Sequence, residues 1–334
     1  MVNEATAYRF SLDHIAPELR ETVRRIPPVR FESVRRARFG IALMHFLTPR
    51  VDTSGTVITT QEIRSGDGRR RIRLRLYTPA APAGGPRPAM VFMHWGGFVV
   101  GGLETEHDRC VRLCRDFGMV IVSVDYRLAP ENPFPLGLDD CFDALCWVHD
   151  HATRLGVDPA SIAVGGTSAG GGLAAALALK ARDGGGPVIA WQYLGFPVLD
   201  DSCSTSSARR FVDTPNWTAP ANRLMWSYYL GGREATALAA PARAKSLKGL
   251  PPAYLWTAEF DPLHDEGVAY AHRLEEDGVA VTHHDYPGTV HGFDSLRIEQ
   301  GVVARARADQ ARALPLLNGA EDQPAAAGPH TAAL

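Results

Sequence analysis

The stretch Gly165-Gly166-Thr167-Ser168-Ala169-Gly170-Gly171-Gly172 sits between an apolar strand-like run, Ser161-Ile162-Ala163-Val164, and an alanine-rich helix-like run from Leu173 to Arg182. A chain passes from strand to helix this abruptly only where the two backbones approach closely, and the glycines two positions either side of Ser168 permit that approach. Gly166-x-Ser168-x-Gly170 fits a nucleophile elbow, a tight turn that presents the serine hydroxyl clear of the fold at the positive end of a helix. The plain alternative is a glycine-rich phosphate loop. Such a loop normally carries a lysine after its second glycine, and none follows here.

Around this segment strand and helix patterns alternate. Strands are expected at Met90 to Met93, Val120 to Val124, Ile162 to Val164, Ile189 to Phe196, Ala253 to Thr257 and Val279 to Asp285. Helices are expected at Arg109 to Phe117, Asp139 to Ala152, Ala169 to Arg182, Asp265 to Asp277 and Phe293 to Leu314. The pattern predicts an α/β fold with a mostly parallel sheet and helices on both faces, its active site beyond the carboxyl ends of the strands. Upstream, Val57 to Ile63 and Arg71 to Tyr77, joined by Gly66-Asp67-Gly68, read as a β-hairpin. Two amphipathic helices, Pro17 to Ile26 and Phe31 to Leu47, split by Pro27-Pro28, precede every strand and read as either a lid or a plain extension. The segment from Asp200 to about Gly232 breaks the rhythm, polar first and then helical and aromatic, and is expected to fold over the carboxyl edge. The expected organisation is a helical cap segment over 1–50, a catalytic domain over 51–200 and 233–317, a cap insertion over 201–232 and a disordered tail over 318–334.

A net charge of −2 on 334 residues creates no general field for nucleic acid or a membrane surface. Arg69-Arg70-Arg71-x-Arg73-x-Arg75 is the local exception. Its alternation with Ile72, Leu74 and Leu76 reads as the solvated face of a strand rather than a nucleic-acid site. Five cysteines without metal-ligand spacing, behind an N-terminus lacking a charged-then-apolar signal pattern, predict a cytoplasmic protein. The apolar run Phe39 to Leu47 is far too short to span a bilayer, so no stable membrane insertion is expected.

An activated serine needs a base in hydrogen-bond reach and a group that orients the base. Of twelve histidines, His291 is best placed, in the loop Pro287-Gly288-Thr289-Val290-His291-Gly292-Phe293 after the last strand. His283 and His284 lie within that strand and point to opposite faces. Asp261, directly after strand Ala253 to Thr257, is the candidate orienting acid, whereas Asp265 and Glu266 read as the acidic first turn of a helix. The order Ser168, Asp261, His291 is that of α/β-hydrolases. Backbone donors for an oxyanion can come from the loop His94-Trp95-Gly96-Gly97 and from the amide of Ala169.

These segments together resemble the bacterial hormone-sensitive-lipase family of esterases, from about residue 20 to 315. The resemblance is carried by His94-Trp95-Gly96-Gly97-Phe98, Asp125-Tyr126-Arg127-Leu128-Ala129-Pro130-Glu131, Gly166-Thr167-Ser168-Ala169-Gly170, Gly249-Leu250-Pro251-Pro252, Asp261-Pro262-Leu263-x-Asp265-Glu266-Gly267 and His291-Gly292-Phe293. Thr167 matches the family's GTSAG-type branch. The resemblance implies an α/β-hydrolase fold with a helical cap, hydrolysis of short to medium acyl esters, no metal or cofactor, and a homodimer. It also implies oxyanion donors at Gly96, Gly97 and Ala169. One departure stands out: Trp95 occupies the family's first glycine position, which is expected to reshape the pocket, and His94 is expected to pin the loop. Trp95, Phe98, Phe46 and Trp217 are candidate substrate contacts, as are Trp226 and Tyr229; Phe46, Trp217, Trp226 and Tyr229 read equally as ordinary cap core.

Other readings use the same residues. A ligand-binding receptor on this fold typically lacks the histidine that His291 supplies here, while an amidase, lactonase or deacetylase would use the same triad. His107, Cys110 and Cys114 lack two further ligands at recognisable spacing, so a buried helix face is the simpler account. An interfacially activated lipase is disfavoured because no large exposed apolar lid is evident from the sequence.

Overall fold

A computed structural model describes residues 9–49 and 51–317; the tail expected over 318–334 lies outside the described residues. Two 3-10 turns, Leu12–His14 and Pro17–Leu19, lead into α1 (Arg20–Arg24), and α2 (Val34–Leu47) follows. The hairpin strands are β1 (Thr56–Arg64) and β2 (Arg71–Pro79). The alternating part runs β3 (Arg87–Met93), α3 (His107–Phe117), β4 (Val120–Val124), α4 (Leu136–Asp150), α5 (Ala152–Leu155), β5 (Val157–Thr167), α6 (Ala169–Gly184) and β6 (Gln192–Gly195). The insertion contributes α7 (Ser206–Arg210) and α8 (Ala219–Leu230). Then come β7 (Ala253–Phe260), α9 (His264–Glu276), β8 (Val281–Val290) and α10 (Gly301–Leu317).

The strands form one eight-stranded sheet in the order β1-β2-β4-β3-β5-β6-β7-β8. β1 and β2 pair antiparallel, as does β2 with β4, and every pair from β4–β3 to β7–β8 is parallel. Parallel strands covered on both faces read as unbroken apolar runs, and all five residues of β4 are buried. One core packs α4, α6 and α9 on Val91, Val122, Val164, Leu194 and Leu255. The other packs α3, α10 and Leu19 and Val23 of the N-terminal segment on Phe92, Ile121, Tyr193, Tyr254 and Trp256. The arginine run behaves as a strand face: Ile72, Leu74 and Leu76 point inward, while Arg71, Arg73 and Arg75 pair with Glu62, Asp125 and Glu104.

Several boundaries differ from expectation for physical reasons. The first N-terminal helix is a 3-10 turn followed by a five-residue helix. The second begins only at Val34, where Ser33 accepts a capping hydrogen bond from the Arg36 amide, leaving Phe31 outside the helix and buried. β6 stops at Gly195, since Phe196 takes a left-handed φ of 38°. β8 runs on to Val290 and delivers His291 directly at its end. The helix expected from Phe293 to Leu314 is broken: Phe293–Ser295 form a 3-10 turn, Leu296 is extended, and α10 starts at Gly301. Asp294 is drawn into a buried ion pair with Arg109, which turns the chain away from a continuous helix.

Candidate active site

β5 ends in the turn that the glycines anticipate. Ser168 has φ 56° and ψ −121°, outside the regions a non-glycine residue ordinarily occupies, and it directly precedes α6. Its amide donates to the Gly195 carbonyl at 2.7 Å, and its carbonyl accepts from the Val198 amide at 3.1 Å, so the end of β6 holds the strained residue in place. A side chain at Gly166 or Gly170 would run into backbone of Met93 and of the turn itself. The two motif glycines therefore serve close approach.

The three expected chemical residues meet at the carboxyl ends of β5, β7 and β8, with β6 between the first two. The Ser168 hydroxyl lies 3.0 Å from His291 Nε2, and His291 Nδ1 lies 2.6 Å from Asp261 Oδ2. A carboxylate can only accept, so the proton is on Nδ1 and Nε2 is free to accept from the hydroxyl. Asp261 Oδ1 accepts from the Leu263 amide at 3.0 Å, which fixes the carboxylate at the start of the turn into α9. All three residues are buried. His291 is further framed by the Phe196 ring at 5.3 Å and the Trp217 ring at 5.8 Å, and its carbonyl accepts from Asn216 Nδ2 at 2.9 Å.

The loop after β3 lies beside this turn because β3 and β5 pair in register at Met93 and Gly166. Gly96 and Gly97 both have positive φ, 133° and 57°, and the Gly96 carbonyl accepts from the Val99 and Val100 amides. His94 pins the loop as expected: its Nδ1 donates to the Trp95 carbonyl at 2.7 Å, its ring stacks on Tyr126 at 4.2 Å, and its own carbonyl accepts from the Tyr126 hydroxyl. Burial, opposed by the Trp95 hydrogen bond, lowers the His94 pKa to about 4, so the ring is neutral near pH 7. Trp95 is half-buried.

The candidate substrate contacts divide. Trp217 is buried beside His291 and edges onto Phe31 at 5.8 Å. Phe98 is buried, with φ 59°, and stacks on Tyr229 at 3.8 Å, which makes it a packing residue beneath α8. Phe46 is not brought to the serine: it is 84% exposed on the outward face of α2. The reason is Arg38, whose guanidinium binds the Val99 and Ala129 carbonyls and both oxygens of Glu131, fixing which stripe of the helix faces the body.

Sequence reading missed a buried charged network behind the turn. Thr167, next to Ser168, donates to Glu106; Glu106 pairs with Arg109 at 3.0 Å; and Arg109 forks onto Asp294 at 2.9 and 3.1 Å. Asp294 is three residues beyond His291, so the network ties the serine turn to the histidine loop. Each member lies in a locally ordinary context, such as the first turn of a helix, and only the fold places them together. Glu266 is likewise more than a helix-dipole residue: buried, it accepts from the Leu199 and Asp200 amides at the start of the insertion. Burial raises its pKa well above the usual carboxyl range. His107 is taken up by the Tyr77 hydroxyl, and Cys110 and Cys114 are buried; among the described residues no group of His, Cys, Asp or Glu is arranged to hold a metal ion.

Fold and site together define the class: an α/β-hydrolase with a serine at its elbow. A family model described as alpha/beta hydrolase fold matches residues 90–295. The chain belongs to this family, within its hormone-sensitive-lipase-type carboxylic ester hydrolases. It is 39% identical over 247 residues to Carboxylesterase NlhH of Mycobacterium tuberculosis, covering 72% of this chain and 76% of that protein. It is 36% identical over 239 residues to Ethyl acetate hydrolase of Pseudomonas putida, covering 66% of this chain and 70% of that protein. Among solved structures, Bacterial Heroin Esterase superposes with a TM-score of 0.88 at 40% identity, covering 92% of this chain and 99% of that one.

Proposed function

We propose that this chain is a serine carboxylesterase that cleaves short- to medium-chain acyl esters through an acyl-enzyme. The observation that carries this reading is the unbroken relay from Asp261 through His291 to the Ser168 hydroxyl, at 2.6 and 3.0 Å. Ser168 Oγ attacks the acyl carbon while His291 Nε2 takes its proton, and Asp261 holds the ring and stabilises its charged form. The negative oxygen of the tetrahedral intermediate is met by amides of Gly96, Gly97 and Ala169. Each such donor is worth about 3 kcal/mol in the barrier. His291 then protonates the departing alcohol. In the second half it deprotonates a water that attacks the acyl-serine, and returning that proton to Ser168 Oγ releases the acid.

Trp217 is a substrate contact in this reading, and Trp95 shapes the pocket from the oxyanion loop. The described part of 1–50 and the insertion 201–232 form a cap over a catalytic body of 51–200 and 233–317. Support comes from the Val29 amide bonding the Asn216 carbonyl and the Tyr228 hydroxyl bonding the Phe31 carbonyl. A Cβ at Gly97 would meet Met225 and Phe31 at 3.1 Å, so cap residues crowd the oxyanion loop and favour small acyl groups. The similarity to Ethyl acetate hydrolase supports the same short end of the range. Five unpaired cysteines support a reducing cytoplasm, and no helix among the described residues is long and apolar enough to cross a membrane. Sedimentation tests the homodimer that the family resemblance implies.

The test is hydrolysis of p-nitrophenyl esters from acetyl to palmitoyl by wild type and Ser168→Ala. Cleavage concentrated in the short and medium esters, and lowered by several orders of magnitude in the variant, is expected. A folded wild type inactive across the series, or a variant as active as wild type, overturns the reading.

A further inference from the structure

α2 carries its apolar stripe outward. Phe39, Leu43, Phe46 and Leu47 recur at helical spacing on one face and are 70%, 44%, 84% and 68% exposed. Met44 beside them is 44% exposed. The inward stripe of Val34, Ala37 and Ile41 is only partly buried against the body, and α2 has no fully buried residue. A surface helix of a globular protein ordinarily shows the reverse pattern. The orientation is set by the Arg38 contacts to Val99, Ala129 and Glu131, which hold the opposite side of the helix to the body. A contiguous exposed apolar patch of this kind marks a site that something covers.

Charge identifies the occupant. Residues 33–49 contain no Asp or Glu. Arg35 and Arg36, both exposed, flank the apolar stripe one turn before Phe39. The chain leading into it, residues 20–36, holds six arginines against Glu21 and Glu32, in a protein whose net charge is −2. Aromatic and aliphatic side chains bordered by arginines suit the boundary between acyl chains and anionic headgroups. There the apolar groups enter the lipid by about 5–10 Å and the guanidinium groups meet phosphates. A second copy meeting this face through a twofold axis would set the same basic patch against itself.

We propose that the outward face of α2 docks on the surface of an anionic phospholipid bilayer, with the helix lying in the interface and no segment crossing it. The cytoplasmic leaflet, the negatively charged face of a cell membrane, has the matching sign. Docking stands apart from ester hydrolysis and is measured without it.

The test uses the full chain with phosphatidylcholine vesicles, with and without phosphatidylglycerol, at low and high salt. The protein is expected to co-sediment with the phosphatidylglycerol vesicles and to be released by salt, which screens the arginine contacts. The triple variant Phe39→Ser, Leu43→Ser, Leu47→Ser reduces the bound fraction at least about tenfold with an unchanged melting temperature. Arg35→Gln with Arg36→Gln weakens binding and flattens its salt dependence. The proposal is overturned if wild type stays in solution with these vesicles or if the triple variant binds as wild type does. It also fails if the triple variant instead converts a dimer to a monomer in sedimentation velocity, which would make this face a contact between copies.

Discussion

Two arginines each fork a carboxylate, and they hold two very different parts of the molecule. Arg109 and Asp294 are almost entirely shielded from water and join the serine turn to the histidine loop. Arg38 and Glu131 are 34% and 57% exposed and, with the Arg38 bonds to the Val99 and Ala129 carbonyls, fasten α2 to the body. The chemistry of the two pairs is the same, yet water decides what each contributes. A buried pair that loses one member leaves an unpaired charge in a low dielectric, at about 3–5 kcal/mol, whereas an exposed pair contributes about 0–1 kcal/mol. The site is thus mounted on a body that resists local change, and α2 on a weak attachment.

Asp261→Asn keeps the fold but costs about 10⁴-fold in kcat by favouring the wrong histidine tautomer; a loss below tenfold in ester hydrolysis would remove Asp261 from the relay. Arg109→Met destabilises by about 3–5 kcal/mol in urea unfolding. In the surviving folded protein kcat falls with KM little changed, because the Ser168–His291 geometry loosens; unchanged kcat would show that the network only supports the fold.

His94 titrates near 4 in the folded chain, below its ordinary value of 6.5, so the unfolded chain binds more protons between these pH values. Stability is therefore full above about pH 6.5 and declines as pH falls towards 4, by up to about 3 kcal/mol. His45, His107 and His283, also lowered by burial, act with the same sign. His94→Asn is accordingly expected to shallow the acid slope of unfolding free energy without abolishing it, and an unaltered slope would contradict a buried neutral His94. His264 has the opposite sign: burial opposes its charge, but hydrogen bonds to Asp285 and Asp265 outweigh that and raise it to about 9, so its contribution is lost as pH rises through 9.

At the small end, Arg38→Met shifts unfolding by under about 1 kcal/mol. Phe46→Ala leaves kcat/KM for a short soluble ester within about twofold, as for a surface change away from the chemistry. A large loss on p-nitrophenyl acetate would return Phe46 to the pocket and close the distinction between the two regions.

The same contrast explains what could be read in advance. Ser168, Asp261 and His291 each follow a strand, and the order of strands in a parallel sheet brings strand ends together whatever the loops do. Gly166 and Gly170 were legible because close backbone approach admits no side chain. Phe46 was misread since an apolar residue in an amphipathic segment carries no mark of which stripe will face inward; Arg38 settles that through contacts with the carbonyls of Val99 and Ala129, 61 and 91 residues further along the chain. The break before α10 and the Glu106–Arg109–Asp294 network were hidden for a related reason, because a buried charge looks like a surface charge until its partner arrives from elsewhere in the chain.

That network also limits how this sequence can vary. Removing Arg109 alone strands the Glu106 and Asp294 carboxylates in the interior, while replacing all three by apolar residues of similar volume can be neutral or stabilising. Substitutions at these positions are therefore tolerated as a block rather than one at a time. A combinatorial library that randomises them jointly should yield folded variants that no series of single steps would reach.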